Sequence, residues 1–312
     1  MNKNILAVVL LFFSAASAQK IQYYDYDWKE CGAEKASFKM ESYKDDSGWH
    51  YRSSYLPSLK PASETHFITI AGTHEYGWVV SYYANGRISE HLLIYNKRLE
   101  GPDLRYYYNG MLKDSVVFHN GNETGIALGW YASGAIRDSV NYAGDGKSVQ
   151  VNWYENGQLA SAGHWNNYLR NGRWLYYHPN GINAAIEDYQ NGTLLHALYY
   201  DEDGVQLTDT SHTQRNAAFP GGHEKWLKLI KENLQFPPGV KLENTREIAV
   251  VVSFRVDEEG HVKDAWVEIP FQPLFDAEAL RLVALSPRWI PAISHNQRIS
   301  SDQRQVIYFR QE

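Results

Sequence analysis

Cysteine is almost missing from this chain. Cys31 is the single one among 312 residues, so no intrachain disulfide can form and no cysteine-based metal cluster can be built. Long apolar runs are just as scarce. Spanning a bilayer takes roughly 20 apolar residues, and only the first 18 residues approach that pattern. There, Lys3 precedes an unbroken apolar run over residues 5–13, and Ala16-Ser17-Ala18 makes a small-residue cleavage site before Gln19. Residues 1–18 therefore read as an export signal, with no membrane span expected once it is removed. Cys31 does not follow such a run directly, as a lipid-modified cysteine would. Basic excess is lacking too: the formal net charge is −6, which argues against a nucleic-acid partner that needs a cationic face.

Catalytic patterns are also missing. The twelve histidines show no HxH, HxxxH or HExxH spacing, so no metal site is indicated. Ser211-His212 and Ser294-His295 are chain neighbours in polar stretches, which is not how a nucleophile meets its base. No Gly-x-Ser-x-Gly and no phosphate-cradling glycine loop occur, and Asp257-Glu258-Glu259 reads as a solvated turn. The expectation is a protein that is not an enzyme and carries no cofactor.

What the chain does have is aromatic residues, 23 Tyr and 10 Trp among them, which favours strands. They fall in a repeat. Gly86, Gly110, Gly134, Gly157, Gly181 and Gly204 recur at intervals of 23 or 24 residues, each preceded by Asn, Ser or Asp and, a little earlier, by an aromatic pair such as Tyr82-Tyr83 or Trp153-Tyr154. Asn-Gly between strand-like runs predicts a hairpin, here expected as a type I′ turn with positive φ at both central residues. The last two copies carry an extra residue before the glycine (Tyr-Tyr-His-Pro-Asn-Gly and Tyr-Tyr-Asp-Glu-Asp-Gly), predicting longer loops. Further glycines (101, 121, 125, 144, 146, 172 and 192) mark the opposite ends, so each unit should hold two strands of five to seven residues. Residues 72–207 thus form about six units, and residues 19–71 read as a degenerate capping unit. The aromatic pairs have two readings: cross-strand packing, or a face with polar tips that binds a glycan or an extended chain.

The units resemble the MORN-like repeat family, sometimes met as bacterial antitoxin components, through runs such as Gly77-Trp78-Val79-Val80-Ser81-Tyr82-Tyr83. The resemblance speaks for fold more than for function, and a cytoplasmic antitoxin fits poorly with an export signal.

Residues 208–217 are polar, without periodicity, and read as a linker. Beyond it the order is helix (about 223–234, with Trp226, Leu227, Ile230 and Leu234 on one face), strand (246–256), strand (261–269), helix (276–285) and strand (303–310). This predicts a small α+β sheet with both helices on one face. The whole is then mainly β: an antiparallel hairpin meander followed by that sheet.

Phe219-Pro220-Gly221-Gly222, the strand–turn–strand of residues 250–262, Asp276-Ala277-Glu278-Ala279-Leu280-Arg281, and Pro287-Arg288-Trp289-Ile290-Pro291-Ala292 together resemble the TonB C-terminal domain in order and spacing. The match covers residues 218–310. Two places depart from that family: Thr245-Arg246-Glu247 stands where a glycine is usual before the first long strand, and Ser294-His295-Asn296-Gln297 replaces a Gly-rich loop. The resemblance implies that Phe219, Pro220, Gly221, Gly222, Trp289 and Pro291 are structural. It also implies that the last strand (Gln305, Val306, Ile307, Tyr308, Phe309) is an exposed edge that captures an extended segment of an outer-membrane transporter by β-augmentation. The competing reading of that strand is that it only completes the sheet. A periplasmic or envelope location in a Gram-negative bacterium follows, with a protein partner. An energy transducer of the TonB type is the alternative function, but it needs a retained anchor and a Pro-rich spacer.

Overall fold

The computed structural model describes residues 19–70, 74–242 and 245–311; the expected export signal lies outside them. Antiparallel β structure dominates, as expected. One sheet of sixteen strands runs in chain order, each paired with its neighbours in sequence. The cap supplies β1 (Lys20–Tyr24), β2 (Phe38–Asp45), β3 (Gly48–Tyr55) and β4 (Pro61–Ile70). The repeats supply β5 (His74–Tyr82), β6 (Ile88–Tyr95), the short off-path β7 (Arg98–Leu99), β8 (Gly101–Tyr106), β9 (Leu112–His119) and β10 (Asn122–Trp130). They continue through β11 (Ile136–Tyr142), β12 (Lys147–Trp153), β13 (Leu159–Asn166), β14 (Leu169–Tyr177), β15 (Asn183–Gln190) and β16 (Thr193–Tyr199). The strands of the described cap residues, 19–70, thus belong to the same sheet, with β2 a strand that the sequence did not suggest.

The turn chemistry differs from expectation, and the reason is local. At the periodic glycines the Gly86 N–H bonds the Tyr83 carbonyl (2.8 Å) and the Tyr83 N–H bonds the Arg87 carbonyl (2.8 Å). Gly86 alone has positive φ (85°), so this is a type I turn closed by a glycine bulge rather than a type I′ turn. The Asn85 side chain supports it, since its Oδ1 accepts the Arg87 N–H (3.0 Å), and Asn109, Asn156 and Asn180 do the same in their turns. Gly110, Gly134, Gly157, Gly181 and Gly204 close the same pattern. The type I′ turns sit at the opposite ends, at Asn96-Lys97, Asn120-Gly121, Asn167-Tyr168 and Asn191-Gly192, where both residues have positive φ. Nor are the last two loops longer. His178 N–H bonds the Ile182 carbonyl and Asp201 N–H the Val205 carbonyl, so His178 and Asp201 simply take the place Tyr83 holds.

That place explains the second aromatic of each pair. Tyr55 Oη donates to the Tyr82 carbonyl (2.9 Å), Tyr83 to Tyr106 (2.7 Å), and Tyr107 to Trp130 (2.7 Å). Tyr131 then reaches Trp153 (2.8 Å), Tyr154 reaches Tyr177 (2.7 Å), and His178 Nε2 meets the Tyr200 carbonyl (2.9 Å). Each unit is thereby tied to the next at its turn, one hydroxyl per repeat. Burial pushes the Tyr83, Tyr131 and Tyr154 hydroxyls far above the ordinary tyrosine range, keeping them protonated donors.

On the same sheet, packing alternates with polar ladders. Tyr51, Phe67, Val79, Leu92 and Ile94 form one cluster, and Trp174, Tyr176, Ala184 and Ala185 another. Trp174 lies over Gly163, where any Cβ would overlap its indole, so that glycine makes room for a ring. Between the clusters, Arg105 bonds Glu90 (2.9 Å) and Asp103 (2.6 Å), and Arg137 bridges Asp114 (2.5 Å) and Asp138 (2.7 Å). Asp103 is 1% exposed with one oxygen unpartnered, and burial, only partly offset by Arg105, pushes its carboxyl up to about 6.

The C-terminal domain has α1 (Gly222–Asn233), β17 (Glu247–Val256), β18 (Val262–Ile269), α2 (Pro273–Ala284), the small hairpin β19 (Ala292–Ser294) and β20 (Gln297–Ile299), and β21 (Ser301–Arg310). Its main sheet has the order β18-β17-β21. Alternation along β17 sorts the faces. Val250, Val252 and Phe254 pack with Trp226, Phe275, Leu282 and Trp289 under the two helices. Val251, together with Ile269, instead joins Tyr24, Phe38, Met40, Tyr55 and Ala62 of the cap. The sheet is therefore sandwiched between its helices and the repeat array. The linker is not free either: Arg215 pairs with Ile293 and Ala218 with Ile290.

Two outcomes follow. Tyr131→Phe leaves the Trp153 carbonyl without its donor and should lower stability by about 1 kcal/mol in urea titration; no change would mean the ladder is ornamental. Asp103→Asn bears on pH. A carboxyl raised in the folded state destabilises the fold when ionised, so the wild type should lose stability between about pH 4 and 6 as pH rises, and the variant should lose less, keeping only the share of groups such as Asp276.

A candidate peptide-binding edge and the interface that frames it

β21 pairs with β17 in unbroken register from Glu247↔Arg310 to Val256↔Ser301 and has no other strand neighbour among the described residues. Just past its end the Gln311 N–H bonds the Arg246 carbonyl (2.9 Å). In an antiparallel ladder, hydrogen-bonded pairs alternate. Gln303, Gln305, Ile307 and Phe309 therefore share the phase of Gln311 and spend their backbone on β17. Asp302, Arg304, Val306, Tyr308 and Arg310 turn their N–H and carbonyl outward. Of the expected edge residues, then, Val306 and Tyr308 carry the open backbone groups, and Gln305, Ile307 and Phe309 do not. The side chains agree: Ile307 and Phe309 are buried under the helices, and Tyr308 is 44% exposed.

The open edge is framed by the cap. Tyr26 Oη and Tyr308 Oη meet at 2.6 Å, a bond that lifts the Tyr26 hydroxyl to about 12. Arg304 Nη2 donates to the Tyr26 carbonyl (2.9 Å), and the same guanidinium pairs with Asp27 (3.4 Å) and Glu268 (3.1 Å). Sequence reasoning missed Tyr26 and Asp27, because nothing in a local pattern says which distant strand a cap loop will meet.

The residues of the structural motif lie where a scaffold needs them. Phe219, Trp226 and Trp289 form an aromatic cluster with centroids 5.4–5.9 Å apart. Gly221 caps α1 in the left-handed region (φ 80°), Gly222 follows with φ 81°, Pro220 is half-buried, and the Pro291 carbonyl accepts Arg215 Nε (3.0 Å).

The departure at residues 294–297 has a role of its own. It is the tip of the β19–β20 hairpin, a type I′ turn at His295-Asn296, and it inserts into the array. His295 Nδ1 sits 2.8 Å from Glu187 and its ring stacks on Tyr176 (4.1 Å, 10°). Asn296 Nδ2 donates to the Tyr200 carbonyl (2.6 Å). Gln297 Nε2 reaches the Tyr154 hydroxyl (3.0 Å) and the Ala160 (2.7 Å) and Tyr177 (2.5 Å) carbonyls. Glu187 is 1% exposed and also accepts from Tyr189 (2.6 Å) and Tyr199 (3.1 Å). Burial alone would raise this carboxyl; the bonds from His295, Tyr189 and Tyr199 outweigh it and hold Glu187 below the ordinary range.

The repeat-turn glycines are not brought to the β21 edge. Their row of turns meets the β17–β18 turn instead, where clefts of about 430 and 590 Å³ are walled by residues such as Asn180, Asn156, Glu258 and Glu259. That turn is less solvated than its sequence suggests. Asp257 is 8% exposed, and its Oδ1 accepts the Glu259 (3.1 Å) and His261 (2.7 Å) N–H groups, an Asx cap on the turn. Asp257, Glu259 and His261 also bring ligand-type atoms within 4.8 Å of one another, but the Asx geometry accounts for Asp257 without an ion. Among the described residues no helix is long and apolar enough to cross a membrane.

No protein-family model matches this chain, and no curated protein does. A solved structure titled "Crystal Structure of TcdB2-TccC3-TEV" is similar at 14% identity over 59% of this chain, with a TM-score of 0.17. This chain covers 11% of that one, and at such a score the likeness carries no argument.

His295→Ala removes one of three donors to buried Glu187 and the stacked ring on Tyr176, and should destabilise the docked domain by about 1–3 kcal/mol, read as faster proteolysis within residues 208–217. The sign with pH is fixed. A carboxylate held below its ordinary value of 4.5 stabilises above that value, so in the wild type docking should weaken as pH falls below about 4.5.

Proposed function

We propose that this chain is an exported, non-enzymatic interaction protein of the cell envelope, whose TonB-like C-terminal domain takes up an extended peptide beside β21. The observation that carries this is the edge itself. Alternate residues Arg304, Val306 and Tyr308 direct donors and acceptors away from the sheet, the arrangement β-augmentation needs. Main-chain bonds would supply affinity, and the Tyr26–Tyr308 and Arg304–Asp27 contacts flank the incoming strand.

The array then serves as a docking surface more than as a spacer. It seats the 295–297 tip, while the cap in front of it packs on Val251 and Ile269. This supports an interaction protein over an energy transducer, whose binding domain must be held away from its anchor. The glycan reading finds less support. In the repeats, Tyr83, Tyr107, Tyr131 and Tyr154 spend their hydroxyls on carbonyls of the next unit, so these rings do not offer the free polar tips a sugar would use.

Pro tests the edge, since it removes a single N–H and is tolerated where that N–H points outward. In a chain of residues 19–312, Val306→Pro should keep the fold and weaken binding of extended transporter peptides at least tenfold, about 1.4 kcal/mol. Ile307→Pro should break the ladder to β17 and unfold the domain. Peptide binding by Val306→Pro at wild-type affinity, measured by fluorescence polarisation, would sink the proposal.

A further inference from the structure

The C-terminal sheet has a second gap, on the far side of the β17–β21 pair. β17 is the central strand, yet β18 covers only part of it. Their pairing ends at Val251↔Ile269, and Pro270 follows directly. Upstream of Val251, β17 keeps β21 on one side only. By the alternation already fixed, Glu247 and Ala249 turn their backbone groups to the uncovered side. Glu247 is satisfied locally: Thr245 Oγ1 accepts its N–H (3.2 Å) and donates to its carbonyl (2.8 Å). Ala249 has no such arrangement, and no described segment meets its N–H or carbonyl. Backbone groups on a central strand are strong obligatory partners, so an uncovered pair on one residue points to a ligand or water in that place.

Space is present where the missing strand would run. A cleft of about 980 Å³ opens there between the domain and the cap. Ala249, Phe271 and Tyr308 line it from the domain, and Lys35, Leu56 and Pro57 from the cap. Its volume stands at the upper end of ordinary ligand sites, roughly 300–1,000 Å³. The small side chain of Ala249 leaves the floor open. A donor and an acceptor on one residue, set at the strand's own spacing, match the main chain of an extended segment better than a sugar or a nucleotide. At about 3.3 Å per residue, a few residues of strand would fill the gap that β18 leaves.

We propose that this cleft binds a short extended peptide of another protein through paired main-chain hydrogen bonds to Ala249, as a site separate from β21. It rests on the uncovered edge of β17 and not on the open groups of β21, although Tyr26 and Tyr308 border both places.

The test uses the chain of residues 19–312 and an immobilised library of ten-residue peptides, with the strongest binder resynthesised. Amide exchange is then followed by NMR. The bound peptide should slow exchange of the Ala249 amide at least tenfold and leave the Val306 amide unchanged. Ala249→Trp, which fills the cleft, should cut affinity at least tenfold. The proposal falls if no peptide binds above background, or if folded Ala249→Trp binds as well as the wild type. A binder that protects Val306 and not Ala249 also overturns it, while leaving the β21 reading intact. Should Ala249→Trp fail to fold, the exchange of the wild-type Ala249 amide decides alone.

Discussion

One hydroxyl per repeat holds the molecule in shape. A meander of hairpins is free to bend or twist between units unless something fixes the distance from turn to turn. Here Tyr55, Tyr83, Tyr107, Tyr131 and Tyr154 each donate to a carbonyl of the following unit at 2.7–2.9 Å. The bond has its effect because burial keeps the hydroxyl protonated and excludes competing water. With the turns tied one to the next, the C-terminal domain touches the array and its cap at many points, from Tyr26 to Tyr200.

The two modules therefore do not act as beads on a string. Val251 and Ile269 complete a core begun by Phe38 and Met40, and Gln297 satisfies carbonyls in β13 and β14. Removing the domain would expose that apolar patch and take the Gln297 donor away from the Ala160 carbonyl. Both candidate binding places, the β21 edge and the cleft above Ala249, owe a wall to the cap. A partner at either one would read both modules at once.

Much of the fold was legible because its signals are short-range. The 24-residue period, the Asn-Gly turns and the helical face of Trp226 and Ile230 are set by neighbours in the chain, and they placed strands and helices within a few residues. The errors share a cause. Asn85 was read from the dipeptide alone, while the turn has the glycine as its only positive-φ residue and closes from Tyr83 to Arg87. His178 and Asp201 were read as insertions, when they occupy the tyrosine position. The edge was legible as a strand but not in phase: which of Val306 and Ile307 faces outward depends on the register with β17. Ser294-His295-Asn296-Gln297 looked like a missing glycine loop, since its partners lie more than 90 residues away.

The meander topology also sets an order of assembly. Nearly every strand pairs with the one before it, so hairpins can zip from one end at little loop-closure cost. The Tyr26–Tyr308 contact, by contrast, joins residues 282 positions apart and must wait for the whole array. A chain growing from its N-terminus would expose the bare row of turns until residues 218–311 arrive, so the domain proposed to take up a peptide is also the part that covers the protein's own surface.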